Sequence, residues 1–126
     1  MRESPVKRRF RLTRSTDFKR VRSEGKSYAH PLVVLVAAHS GEQEARVGVS
    51  AGRSLGGAVQ RNRAKRLLRE AIRPMLPALP LGLDLVLIAR HSLVAAPFQE
   101  VKAAVYGLLR RANLILDANQ KPENVR

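Results

Sequence analysis

Over residues 58–73 apolar side chains recur at helical spacing while cations fill the opposite side, and this one-sided pattern constrains the fold more than any other stretch. At about 100° per residue, Ala64, Leu67, Leu68, Ala71, Ile72 and Met75 share one arc, and Asn62, Lys65, Arg66, Arg69 and Arg73 cluster roughly opposite. The apolar arc has to be buried against a neighbouring layer. The basic arc has a different requirement. Five cations stand in the ten residues from Arg61 to Glu70, and Glu70 is the one acid between Arg61 and Arg73. A solvated face would mix signs and set Glu four residues before Lys. Here the cations repel one another unless an anion lies across them, so the helix faces a core on one side and a polyanion on the other.

The layer that receives the apolar arc is predicted on either side of this helix. Residues 32–38 form a Val-rich run short enough for a buried strand, residues 46–50 alternate in strand fashion, and residues 39–45 read as a polar hairpin loop between them. These two strands are expected to pair antiparallel. Pro74, Pro77 and Pro80 end the basic helix, and residues 83–89 make another Leu/Ile/Val strand, so strand, helix and strand in that order imply a parallel crossover. Upstream lies a short helix with Ser15 as N-cap, Asp17 in its first turn, Gly25 as C-terminal cap and Phe18 and Val21 as its apolar face. The last helix starts near Pro97, with Phe98, Val101, Val105, Leu108, Ala112 and Ile115 stepping by three and four as a core stripe. Residues 1–11 read as a mobile basic arm and 118–126 as a polar tail of one single domain. At 126 residues and 44% hydrophobic content, the chain is long enough for one ordinary core.

A formal net charge of +14 is far beyond what solubility needs and argues for a large polyanionic partner. Arginine supplies 18 of the 24 cations, and its planar fork suits phosphate oxygens and stacking on bases. The chain has no cysteine, which removes disulfides and thiolate metal sites and fits a reducing cytoplasm. Its longest apolar run, 32–38, is far too short to span a bilayer. The basic N-terminus lacks the apolar segment of a secretory signal.

Protein-borne chemistry is not written in the chain. Gly48, Gly52, Gly56 and Gly57 surround the start of the basic helix, but their spacing matches neither the dinucleotide fingerprint nor the P-loop, so no small-molecule cofactor is expected. A glycine-bearing turn feeding a helix N-terminus exposes backbone amides beside which Arg53 could grip a phosphate; tight turns alone account for the glycines equally well. His30, His39 and His91 are scattered, without the spacing of a zinc site. No Ser/His/Asp or Cys/His signature is present, so no catalytic residue is assigned to the protein. Among five aromatics, Phe18 is flanked by Lys19, Arg20 and Arg22, a setting in which a ring stacks on an unpaired base, although its spacing also suits a core.

The chain resembles the bacterial ribonuclease P protein subunits. The resemblance is carried by Arg61-Asn62-Arg63 followed by Lys65-Arg66-Leu67-Leu68-Arg69, by Arg46-Val47-Gly48-Val49-Ser50 and Gly56-Gly57-Ala58-Val59, by Arg11-Leu12 with Asp17-Phe18, and by Leu87-Ile88-Ala89-Arg90. These matches keep their order over roughly residues 8–113. The resemblance implies an α/β (α+β) two-layer sandwich of order αβββαβα, a small mixed sheet packed by helices, with a left-handed crossover through the basic helix, an exception to the usual hand. It also implies the accessory subunit of an endoribonuclease whose catalysis is carried by a large RNA with bound Mg²⁺. That enzyme removes the 5′ leader from precursor tRNA, with one protein per RNA in the cytoplasm and no membrane partner. RNA-binding residues would be Arg61, Asn62, Arg63, Lys65, Arg66, Arg69, Arg73 and Arg46; Phe18, Arg22, Arg53 and Arg90 would bind the leader. Arg22 and Val36 stand where relatives often carry leader-contacting aromatics, Gly57 replaces a common Asn, and Ser54 stands where Lys is frequent, so leader binding here would lean on charge. The alternative is a structural ribosomal or other RNA-scaffold protein, which is also small, basic and free of cysteine. An architectural DNA-binding protein would want minor-groove wedges that this chain lacks.

Overall fold

The computed structural model describes residues 6, 10–39, 41 and 43–115. Along the chain come α1 (Ser15–Glu24), β1 (Lys26–Ala29), β2 (Val33–His39), β3 (Arg46–Ala51), α2 (Ala58–Ile72), β4 (Leu83–Ala89) and α3 (Phe98–Arg111). Short 3-10 turns occupy Arg53–Leu55, Arg73–Ala78 and His91–Ala95. The four strands form one mixed sheet in the order β1-β2-β4-β3. This is the expected αβββαβα architecture.

The expected antiparallel pairing of β2 with β3 is corrected, because β4 lies between them. It pairs antiparallel with β2, from Val33↔Ala89 to His39↔Leu83, and parallel with β3, from Arg46↔Asp84 to Ala51↔Ala89. The physical reason is β4's burial. Six of its seven residues are buried, which suits a strand with neighbours on both sides. The connection 40–45 is long enough to step over one strand, a lateral distance of about 10 Å. The predicted parallel crossover through the basic helix is present.

On one face α2 and α3 pack over Leu35, Val47, Val49, Leu85 and Leu87. From α2 come Ala64, Leu68, Ala71 and Ile72, all buried, with Leu67 half-buried at the rim of the predicted arc and Met75, also half-buried, in the turn that follows. From α3 come Val101, Val105 and Leu108 of the predicted stripe, joined by Ala104 and Leu109. The other face carries a smaller cluster in which α1 lays Val21 over Val36, Ala38 and Val86, with Leu12 alongside.

Three end assignments differ from expectation. Ser15 is the first helical residue of α1 and Arg14 the N-cap, with no side-chain capping bond. Pro97 is the N-cap of α3 rather than its first residue. The arm reading of residues 1–11 fails where that segment is described: Val6 and Phe10 are 1% and 5% exposed in the main core, and Arg11 bridges to Val47 of β3. Single apolar residues set among cations give no periodicity to read, yet two of them suffice to seat the segment. The remainder of the arm and the tail 118–126 lie outside the described residues. The turn into α2 is fixed locally. Buried Leu55 anchors it, Gly56 takes φ +127°, which strains any residue with a Cβ, and Gly57 N–H donates to Gln60 Oε1 at 3.1 Å.

Candidate nucleic-acid interface

The helical pitch that buries Leu68 also turns the cations of α2 outward. Asn62, Arg63, Arg66 and Arg73 are exposed, and Arg61, Lys65 and Arg69 are half-buried. Arg73 Nη2 lies 3.3 Å from Glu70 Oε1, so the lone acid of this face is engaged at its far end in an exposed pair of little energetic weight. Arg63 Nη1 donates to the Val94 carbonyl at 2.9 Å, which turns it toward the 91–95 turn. Burial lowers the pKa of Arg69, and the charge of Arg11 lowers it further. A guanidinium does not deprotonate in a protein, so this is a cost held in place, and an anion between the two arginines would relieve it. Arg11 Nε and Arg61 Nε are buried without a hydrogen-bond partner among the described residues.

The face of the sheet under α1 is ordered in three cross-strand rows set by the register: Arg46, Asp84 and Ala38; then Gly48, Val86 and Val36; then Ser50, Ile88 and Val34. The first row is ionic. Asp84 is 2% exposed and accepts from Arg46 Nε at 3.1 Å, Arg46 Nη2 at 3.0 Å and Arg20 Nη2 of α1 at 2.6 Å. The bond to Asp84 raises the pKa of Arg46. Arg46, half-buried, thus directs its guanidinium to Asp84 on the sheet face that α1 covers. The second row carries Phe18. A methyl group on Gly48 would overlap the Cζ of that ring and come within 2.7 Å of its Cε2, so the glycine is what lets the ring approach the strand. Val36 lies buried in this row.

The third row is open. Ser50, Ile88 and Val34 are only half-buried, and beside Ser50 is a cleft of about 360 Å³. Thr13, Ser15, Phe18, Ser50, Ala51 and Lys65 line it. The structure thus brings Phe18 of α1 and Lys65 of α2 onto one cleft across the edge strand β3, and the α2 cations continue from it. Arg22, Arg53 and Arg90 are exposed on separate elements: the last turn of α1, the turn after β3 and the residue after β4. Arg90 Nη1 reaches the His30 carbonyl at 3.4 Å. Sequence pattern pointed to none of Thr13, Gly48 as a seat for the ring, Arg20 or Asp84. A lone acid inside an apolar strand was the one signal available for the last.

A profile of the Ribonuclease P family matches residues 6–113. The Ribonuclease P protein component of Chloroflexus aurantiacus is 40% identical over 111 residues, covering 87% of this chain and 82% of that one. The solved RNase P protein of Thermotoga maritima superposes with a TM-score of 0.71 at 32% identity, over 80% of this chain and 96% of that one. The Staphylococcus aureus RNase P protein gives a TM-score of 0.75 at 26% identity, over 85% and 98%. The chain thus belongs to the ribonuclease P protein component family.

Proposed function

We propose that the exposed side of α2 grips the catalytic RNA of ribonuclease P while the cleft between α1 and β3 holds the 5′ leader of precursor tRNA. The observation that carries this reading is the continuity of the two surfaces through Lys65, which belongs to the α2 cations and also lines the Phe18 cleft. Arg61, Asn62, Arg63, Arg66, Arg69 and Arg73 supply phosphate contacts. Phe18 offers a half-buried ring to an unpaired base, and Arg22, Arg53 and Arg90 add charge further out. A single strand suits this cleft better than a duplex, because its lining offers one half-buried ring for an unpaired base to stack on.

Hydrolysis belongs to the RNA in this reading. The charged side chains proposed for the interface are guanidinium and ammonium groups, which repel a metal ion, and among the described residues no cluster of three His, Cys, Asp or Glu could hold one. The residues do not fit Mg²⁺, which is assigned to the RNA. The protein's part is to add fixed positive charge beside the phosphates, raising substrate affinity and easing the demand for free cation. One protein per RNA in the cytoplasm completes the reading; among the described residues no helix is long and apolar enough to cross a membrane.

The test is cleavage of a precursor tRNA by the cognate catalytic RNA at low Mg²⁺, with and without the protein and with heat-denatured protein as control. Strong stimulation giving a correct 5′ end is expected. Tight RNA binding without stimulation would reduce the protein to a scaffold.

A further inference from the structure

Asp84 is the sole buried charged or polar residue among those described, and it sits in a strand that otherwise reads Leu-Leu-Val-Leu-Ile-Ala. Burying a carboxylate with two guanidinium groups is at best weakly stabilising compared with an aliphatic residue of similar volume. What the carboxylate does that a leucine cannot is tie two elements to one point. Arg46 comes from β3, which is already held to β4 by the parallel ladder. Arg20 comes from α1, which has no such ladder. That helix is ten residues long, has no side-chain cap at its N-terminus, and buries only Val21 fully. Arg20 stands two residues after Phe18, and the row it reaches is next to the row where Phe18 meets Gly48.

We propose that Asp84 is a positioning residue for leader recognition: through Arg20 it fixes the height of α1 on the sheet, so that Phe18 stands at Gly48 and the third row stays open. This rests on the reading of the cleft as the leader site. Releasing the tie lets α1 slide toward the open row, and a displacement of about 1 Å at a recognition site is enough to cost binding severalfold or more.

Two substitutions in the full chain test it, read as the ratio of affinities for precursor tRNA and mature tRNA on the assembled ribonucleoprotein, with affinity for the catalytic RNA alone as the check on folding. Asp84→Asn removes a negative charge from the sheet face that also carries Phe18, so simple attraction to an anionic leader predicts a higher ratio, whereas positioning predicts a fall of roughly five- to tenfold. Arg20→Met keeps the stem and leaves Arg46 on Asp84, so it decides the matter if Asp84→Asn loses its fold. The same fall is expected, and none further when Phe18→Ala is added. An unchanged or higher ratio in a folded variant, or full additivity with Phe18→Ala, overturns the positioning role while the leader site stands. A wild-type ratio near one overturns the leader site itself, and the positioning role with it.

Discussion

Leu68 and Phe18 lie on opposite sides of one sheet, and their surroundings are built on different terms. Around Leu68 the side chains are aliphatic and fully enclosed, with Leu35, Leu85, Leu87, Ile72 and Leu109 all without measurable exposure. Around Phe18 the cover thins to Leu12, Val21, Val36, Ala38 and Val86, closed by an ionic row at one end and left open at the other. Apolar area removed from water is the main source of stability, so the face under α2 and α3 supplies most of it. That surplus is what allows the second face to stay incompletely covered. One sheet in a small domain thus carries two faces that differ in how completely they are covered: one enclosed on all sides, the other left open at one end.

The comparison can be broken by substitution. Leu68→Ala is expected to lower stability by about 2–5 kcal/mol in a denaturant melt, since the residue is wholly enclosed; a smaller loss would mean that the α2 face is not the main core. Gly48→Ala comes next, at about 1–3 kcal/mol from overpacking against Phe18, and it should depress leader preference while affinity for the catalytic RNA holds. If leader preference survives, the ring does not need its seat. Leu67→Ala, at a half-buried position, should cost about 1–2 kcal/mol, and a loss equal to that of Leu68→Ala would rotate the helix relative to the sheet. Arg66→Ala should change stability by no more than about 0.5 kcal/mol yet flatten the salt dependence of RNA binding by roughly 0.7–0.9 log units for each phosphate the arginine neutralises. An unaltered slope would take the exposed side of α2 out of the interface.

Much of this separation could be read in one dimension. The α2 arc, the α3 stripe and the run Leu83–Ala89 follow from periodicity, because burial on one side imposes a repeat. The order of strands did not follow. A short polar connection between two apolar runs looks like a hairpin, and only the double-sided burial of β4 shows that it must be stepped over. β1 has a single half-buried residue, Tyr28, and so no pattern of its own; it entered through the family's element order alone. The α2 cations were legible because they violate the rule for a solvated helix. The pairing of Arg46 with Asp84 was hidden for the opposite reason. A cation at a strand start looks available, and its acid lies 38 residues away, so nothing local marks the pair. Gly48 and Phe18 are 30 positions apart and meet only once α1 has been laid across β2 and β4.

The strand order has a consequence for a chain still being made. The sheet is organised on β4, which is the last strand to be synthesised, and until it arrives β3 has no partner in the four-stranded sheet while β1 and β2 can form only a hairpin. Translation proceeds at about 5–20 residues per second, so for some seconds the nascent chain carries the cations of α2 without the surface that arranges them. Non-local pairing of this kind is also the slow part of folding. The groove between α1 and α2 therefore comes into being in one late step, and a chain interrupted before residue 83 has the cations without the groove they border.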